Sequence, residues 1–274
     1  MERKSIENKG DEFDNLIFNL KNQNHALLKE MDLLKKFIIR NNITNKSDEN
    51  YCPICENFSN FKSFGITSRS NALCPHCHSL ERHRLVYFII QRRYGYLLEH
   101  ENIKLLHFAP EIPFYNLFKK FNNIDYYPVD FNPELYEARN IHIRDKVDME
   151  NLFQYEDNMF DFIYHCHVLE HIPNDLNAMG ELYRVLKNGG VCITLAPVFN
   201  IPKTIENSEY NTPELRLKYY GQEDHLRKYG LDFKDRLESV GFNVEEIKSY
   251  DFMPSQIENK FYGIRPDRVF ICTK

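Results

Sequence analysis

Apolar residues along this chain follow two different patterns. Before residue 48 they recur at the spacing of an α-helix, and neither Gly nor Pro occurs between Phe13 and Ile38. From residue 103 onward, short apolar runs alternate with helical stretches, which is typical of a parallel sheet with helices on both faces. The predicted strands are 105–108, 125–129, 160–165 and 191–196, followed by a terminal hairpin of 242–250 and 268–273. The predicted helices span 111–121, 174–187 and 222–241.

The N-terminal helix carries a seven-residue repeat. The residues at the repeated position are Phe13, Leu20, Leu27 and Leu34. A coiled coil needs two apolar positions in each heptad, and the other position here includes Gln23 and Glu30. Two structures therefore fit the pattern: an amphipathic helix that packs on its own chain, or a helix that forms a homodimer. A polar linker is expected at 41–50.

The composition narrows the class of protein. A net charge of −5 is unusual for a domain that binds nucleic acid through its phosphates. No apolar run approaches the roughly 20 residues needed to cross a bilayer, and the first residues lack the apolar segment of a signal peptide. We therefore expect a cytoplasmic protein with no nucleic-acid or membrane partner.

Four of the seven cysteines form two CxxC pairs, Cys52 with Cys55 and Cys74 with Cys77. Each pair can aim two thiolates at one ion, and two pairs complete a tetrahedral four-sulfur site. The spacing predicts structural zinc, because four protein ligands leave no open position for a substrate. His76 is expected to lie near the site without binding the ion.

A basic segment follows the second cysteine pair. It contains Arg82, Arg84, Arg92 and Arg93. These arginines predict either a face that binds phosphate or another anion, or an ordinary solvated helix face above buried apolar residues. The sequence alone is consistent with both.

Asp130 ends the second predicted strand, about 20 residues after the end of the first strand. Nucleotide-binding Rossmann folds place at this position an acid that binds the ribose hydroxyls. The alternative is an aspartate that caps the turn before Pro133. The segment 105–111, which covers the first strand and the loop after it, contains none of the glycines that usually mark such a site.

The segments that follow are DNMFDFI at 157–163, HCHVLEHIPND at 165–175 and ELYRVLKNGG at 181–190. Together they resemble the signature of class I methyltransferases over about residues 103–200. The resemblance implies a Rossmann-like α/β fold with a seven-stranded sheet and S-adenosylmethionine (SAM) as the methyl donor. It implies cofactor contacts from His107, Phe108, Ala109, Pro110, Glu111, Asp130, Phe131, Asp148, Met149 and His165.

The chain also resembles a narrower family in which a zinc ribbon precedes a methyltransferase domain. The matching segments are NALCP at 71–75, SLERHR at 79–84, HFAPE at 107–111 and GQEDH at 221–225. In that family HFAPE stands where other methyltransferases have the glycine-rich loop. The missing glycines are therefore expected to be a family variant.

His171 is the first candidate for a general base, because it follows the fourth strand at the expected boundary between cofactor and acceptor. A structural histidine at a strand–helix corner is the alternative. His167 is the second candidate. With Glu170 and His171 it also resembles the metal ligands of the O-methyltransferases of quinone biosynthesis, although His167 replaces an acid there.

Asp224, His225 and Arg227 are candidates for binding the acceptor, at the start of the predicted helix 222–241. Asp224 at a helix start can instead simply complement the helix dipole. The long polar insertion 197–220 is expected to cover the acceptor.

Three regions are therefore expected: an N-terminal helix and linker at 1–48, a zinc ribbon with a basic helix at 49–100, and a methyltransferase domain at 101–274. The expected function is SAM-dependent methylation of a small polar metabolite or sugar. Two alternatives remain open, a zinc-ribbon RNA methyltransferase and a non-catalytic scaffold with a methyltransferase fold.

Overall fold

The structure is a computed structural model that describes residues 2–43, 49–65, 67–253, 256–265 and 267–274. It divides into two compact units. The first consists of Met1–Asn102 and Ser255–Arg265, and the second of Ile103–Pro254 and Pro266–Lys274. None of the helices that the structure describes combines the length and the hydropathy needed for a membrane span.

The first unit contains two long helices, two small β-hairpins and one short returning helix. The hairpins hold the cysteine pairs, and the returning helix comes from the segment 255–265, which the sequence analysis had not separated from the methyltransferase domain. The elements are α1 (Glu2–Ile43), β1 (Asn50–Cys52), β2 (Asn57–Ser59), β3 (Lys62–Phe64), β4 (Arg69–Leu73), α2 (Glu81–His100) and α8 (Gln256–Tyr262).

Helix α1 packs on α2 through one face and exposes the leucine repeat on another. Asn22 and Ala26 are buried, and the side chain of Asn22 accepts a hydrogen bond from the backbone N–H of Tyr96 in α2. The exposed side chains are Leu20, Leu27, Met31 and Leu34, each more than half exposed. The side chain of Phe13 lies outside the described residues. The three leucines of the repeat whose side chains the structure describes, Leu20, Leu27 and Leu34, therefore leave more than half of their surface uncovered by this chain.

Arg84 lies at the centre of the first unit, with its side chain completely buried. Its guanidinium donates to the carbonyls of Ser79 and Ala72, and to those of Tyr262 and Gly263 at the end of α8. These bonds compensate for the loss of water around the charge. Arg84 thus ties the returning segment to the residues beside the second cysteine pair.

The second unit is built on a seven-stranded sheet with the order β10-β11-β9-β8-β5-β6-β7. The five strands from β9 to β7 are parallel, whereas β11 runs antiparallel to β9 and β10 antiparallel to β11. The strands are β5 (Ile103–Phe108), β6 (Ile124–Asp130), β7 (Asp145–Lys146), β8 (Phe160–Cys166), β9 (Leu186–Leu195), β10 (Asn243–Lys248) and β11 (Arg268–Thr273).

Helices and two 3₁₀ turns connect these strands. The central strands β5 and β8 and the second half of β9 are buried on both faces, as their continuous apolar runs predicted, and the terminal hairpin is present. The predicted α/β fold is confirmed. The helices are α3 (Ile112–Phe118), α4 (Asp175–Val185), α5 (Pro213–Tyr220), α6 (Phe233–Ser239) and α7 (Ser249–Phe252), and the 3₁₀ turns are Pro133–Arg139 and Leu169–His171.

The predicted helix 222–241 was wrong in its first half, because only Phe233–Ser239 is helical. Residues 222–232 form an irregular segment whose backbone pairs with the insertion, since Lys228 and Ile205 exchange two hydrogen bonds of 2.9 Å. Gly230 lies so close to Lys203 that a Cβ added to the glycine would be 2.5 Å from the backbone carbonyl carbon of Lys203. Asp224, His225 and Arg227 therefore lie on a loop and do not begin a helix.

Candidate functional site

The carboxyl ends of β5 and β6 meet at one edge of the sheet, with Phe108 opposite Val129. The loop after β5 continues this contact, because Ala109 donates its N–H to the carbonyl of Val129 at 3.0 Å. Val147 donates in the same way to the carbonyl of Asp130 at 3.0 Å. These bonds place the loops that follow β5, β6 and β7 side by side, where open α/β sheets bind their ligands.

Ala109 explains how the loop after β5 forms without glycine. Its φ angle is +48°, in the left-handed region that glycine normally occupies. Pro110 follows, and Glu111 is the residue from which α3 begins. The backbone thus adopts a conformation typical of a glycine-rich loop, while the alanine bears the steric cost of its Cβ.

His107 holds the Glu111 side chain in place. The imidazole is completely buried, with Nδ1 2.7 Å from the Tyr126 hydroxyl and Nε2 3.2 Å from the Glu111 carboxylate. Burial lowers the pKa of His107 and raises that of Tyr126, so both remain neutral at pH 7. A neutral ring that donates through Nε2 to Glu111 accepts from the hydroxyl at Nδ1. The carboxylate of Glu111 is therefore fixed at the loop after β5.

Asp130 is oriented by two donors. Its Oδ1 accepts from the backbone N–H of Asn132 at 2.7 Å, and its Oδ2 accepts from the Tyr136 hydroxyl at 2.8 Å. Each carboxylate oxygen retains acceptor capacity for one more hydrogen bond. The next side chain, Phe131, is 58% exposed. The sequence analysis did not identify Tyr136, and only its place in the turn after Asp130 could have suggested it.

Asp148 and Met149 follow β7 and differ in exposure. Asp148 is exposed, and its Oδ1 accepts from the backbone N–H of Glu150 at 2.9 Å. Met149 is buried and packs in the core of the second unit. Asp148 therefore offers a carboxylate at the sheet edge, whereas the Met149 side chain supports the loop from beneath.

His165 lies inside the sheet, fully buried, with Nδ1 3.3 Å from the Thr194 hydroxyl on β9. Burial lowers its pKa to about 4, so the ring is neutral at pH 7. Its Nε2 has no hydrogen-bond partner among the described residues.

The turn after β8 gathers several of the predicted residues. His167 has a φ of +57°, and its Nδ1 lies 3.1 Å from Oε1 of the fully buried Glu170. Burial is the largest single influence on the pKa of Glu170 and acts to raise it, but the hydrogen bond from His167, a backbone hydrogen bond and the nearby His167 and His171 together lower the pKa below its usual value. Glu170 is therefore a buried, ionised carboxylate at the carboxyl end of the sheet.

His171 faces the segment 222–232. Its Nδ1 lies 3.3 Å from both the backbone carbonyl and the carboxylate of Asp224. The ring of His225 meets it edge to face, with the ring centroids 4.8 Å apart. The structure therefore brings His171, Asp224 and His225 together, and His167 lies in the same turn as His171.

Arg227 is placed differently from its neighbours, because its side chain is 1% exposed. The guanidinium donates to the carbonyls of Leu169, Ile172 and Pro173 and makes two bonds to the carboxylate of Glu206. These bonds use all five donors of the side chain. Arg227 therefore supports the turn after β8 and has no donor left for a substrate.

Residues 113–194 match a family model described as a methyltransferase domain. The sterol 24-C-methyltransferase erg6 of Schizosaccharomyces pombe is 27% identical over 141 residues, which cover 46% of this chain and 33% of the yeast protein. The chain thus spans about a third of the length of this curated relative.

Two solved structures are also similar to this chain. A SAM-dependent methyltransferase from Archaeoglobus fulgidus is 16% identical, covers 72% of this chain and 96% of its own, and has a TM-score of 0.46. The YcgJ protein of Bacillus subtilis is 15% identical and has a TM-score of 0.44. The match covers 70% of this chain and 99% of the YcgJ chain.

We predict that Ala109→Gly stabilises the protein by about 1 kcal/mol, because glycine adopts a positive φ without the steric cost of a Cβ. Thermal or urea unfolding measures the change. Ala138→Gly is the matched control, because Ala138 lies in the 3₁₀ turn Pro133–Arg139 with an ordinary φ, and glycine there is expected to destabilise. Equal destabilisation by both substitutions would contradict the strained loop.

Proposed function

We propose that this chain contains a class I, SAM-dependent methyltransferase domain and that it methylates a small polar acceptor at the carboxyl edge of the sheet. The observation that carries the proposal is the oriented carboxylate of Asp130 beside the glycine-type loop at Ala109. The family match over residues 113–194 includes Asp130 but begins after Ala109.

The residues at this edge fit the parts of SAM. Each oxygen of Asp130 can accept one further hydrogen bond, from a ribose hydroxyl, and Asp148 offers a carboxylate to the exocyclic amine of adenine. Glu111, held by His107, is suited to the ammonium of the methionine part. Phe131 provides an exposed aromatic surface next to Asp130.

When bound, SAM supplies an electrophilic methyl group to a nucleophile aligned behind it. The chain's contribution is to hold the acceptor in line and to remove its proton. His171 is the proposed base, because Nδ1 faces Asp224 and the other ring nitrogen remains available to accept the proton. His167, in the same turn and with its Nδ1 bonded to Glu170, is the second candidate base.

A small polar acceptor suits the groups near His171, which are histidines and carboxylates at the end of the sheet. RNA is the second candidate acceptor. Its support was the basic segment 82–93, yet Arg84 is fully buried and Arg92 pairs with Glu30 of α1 at 2.5 Å. Both arginines are therefore engaged within the chain, which favours the small acceptor.

We predict that Asp130→Ala weakens binding of S-adenosylhomocysteine (SAH) at least tenfold, since it removes two charged acceptors worth about 1.5–3 kcal/mol each. Calorimetric titration measures the affinity. Asp235→Ala, which removes an exposed carboxylate from α6, is the control and should bind SAH as the parent does. Unchanged affinity in folded Asp130→Ala would refute the assignment of the ribose site. Failure of the parent to bind SAH would support the scaffold alternative.

We further propose that Cys52, Cys55, Cys74 and Cys77 hold a structural zinc ion. Their sulfur atoms all lie within 4.8 Å of one another, with Cys52 and Cys77 3.5 Å apart and Cys55 and Cys74 3.7 Å apart. A tetrahedral site with Zn–S bonds of about 2.3 Å separates its sulfur atoms by about 3.8 Å. The spacing fits this ion and exceeds the roughly 2 Å of a disulfide.

We predict one zinc per chain and a loss of stability in Cys74→Ser, because binding of a structural metal contributes directly to folding. Mass spectrometry of the metal content and thermal unfolding test both statements. Cys192→Ser is the control, since Cys192 is buried in the sheet away from the four cysteines and its substitution should leave the zinc content unchanged. A zinc-free parent protein would disprove the site.

Finally, we propose that α1 forms a homodimer through its exposed leucine repeat. Leu20, Leu27 and Leu34 are 51%, 58% and 57% exposed and share one face of the helix. A second copy of the same helix offers a matching seven-residue repeat. The polar residues Gln23 and Glu30 at the other position limit the strength of this association.

We predict that deletion of residues 1–45 converts a dimer into a monomer, measured by light scattering. Leu27→Lys in the full chain should have the same effect without removing the contacts of α1 with α2, because Leu27 is exposed. Lys21→Ala, on the same helix, should leave the mass unchanged. A parent protein that is already monomeric would exclude this role for α1.

A further inference from the structure

Glu170 has one carboxylate oxygen that lacks a partner. The side chain is fully buried, and Oε1 is engaged by Nδ1 of His167 at 3.1 Å. Oε2 is buried and makes no hydrogen bond to any described residue. A buried carboxylate oxygen without a donor is costly, so the position calls for a cation or a donor that the described residues do not supply.

His225 also has a buried atom without a hydrogen-bond partner among the described residues. This atom is Nδ1, and the residue is 8% exposed. Ligand atoms of Glu170, His171 and His225 all lie within 4.8 Å of one another. Two buried side chains that each have an unpartnered atom, and one partly exposed imidazole, thus place ligand atoms close together, although His171 and His225 are more than 50 residues apart in the sequence.

From this convergence we infer that Glu170, His171 and His225 form a binding site for a first-row transition-metal dication. Two imidazoles and one carboxylate suit ions from Mn²⁺ to Zn²⁺, whereas Mg²⁺ and Ca²⁺ prefer oxygen ligands alone. His171, with a side chain 31% exposed, leaves the site accessible from one side. Three protein ligands leave coordination positions open for water or an acceptor oxygen.

Neighbouring groups orient two of the ligands. His167 bonds Oε1 of Glu170, which leaves Oε2 for the ion, and Asp224 faces Nδ1 of His171. Such hydrogen bonds to the far side of a ligand are typical of metal sites, where they fix its orientation. The ligand set differs from that expected from the sequence, because His225 takes the place of His167.

The metal would occupy the nitrogen of His171 that the proposed function assigns to proton removal. Resting on that function, the inference means that His171 would act as a ligand while the metal is bound, and that a hydroxyl bound to the metal, made more acidic by it, would release its proton to water on the exposed side of the site. The methyl transfer itself stays the same. The metal site can nevertheless be tested without any acceptor.

The test is equilibrium dialysis of the purified full chain, with its zinc retained, against Co²⁺. We expect one Co²⁺ per chain, without the strong charge-transfer absorption of thiolate-bound Co²⁺. Glu170→Gln and His225→Gln should each lower the affinity at least tenfold and leave the zinc content unchanged. His142→Gln replaces an exposed histidine outside the cluster and should bind as the parent does.

His171→Gln tests the site without changing a fully buried side chain, because His171 is partly exposed, and this variant should also lose the ion. No bound Co²⁺ at millimolar concentration, or equal affinity in all variants, would overturn the inference. SAH titration of the same preparations separates the two proposals. Intact SAH binding without Co²⁺ binding rejects the metal site alone, and the reverse result rejects the proposed function alone.

Discussion

The hydrogen bonds of the Arg227 guanidinium hold the turn after β8 and the segment 222–232 together. The guanidinium donates to three backbone carbonyls and to Glu206 of the insertion. Removal of one partner from such a buried network leaves several polar groups without hydrogen bonds, which costs far more than the net value of one bond. His225 and His171 face each other because Arg227 holds their two segments together.

Asp175 extends this support to the helix that follows. Its carboxylate accepts from Tyr229 at 2.7 Å and from Arg236 of α6 at 2.5 Å. The loop that carries His225 is thus tied to α4 and α6 on either side of Arg227. Charged hydrogen bonds, together with the backbone bonds between Lys228 and Ile205, fix the course of this irregular segment.

The sequence predicted the sheet well, because strands buried on both faces leave continuous apolar runs such as 160–165. The ends of the predicted strands also indicated where Asp130 and His171 lie, since Asp130 ends β6 and His171 belongs to the turn after β8. The helix at 222–241 was wrong because helical periodicity says nothing about long-range contacts such as Lys228 with Ile205. The contact between the rings of His171 and His225, and the burial of Arg227, depend on three-dimensional contacts that one sequence does not encode locally.

Helix α8 has a consequence for the order in which the chain can fold during synthesis. The chain leaves the second unit after residue 254, contributes Ser255–Arg265 to the first unit, and then returns to form β11, which pairs with both β9 and β10. Arg84 can complete its hydrogen bonds only once Tyr262 and Gly263 have emerged from the ribosome. Neither unit can therefore finish folding until almost all of these residues have been translated, and the cysteine pairs must wait more than 180 residues for the last contacts of their own unit.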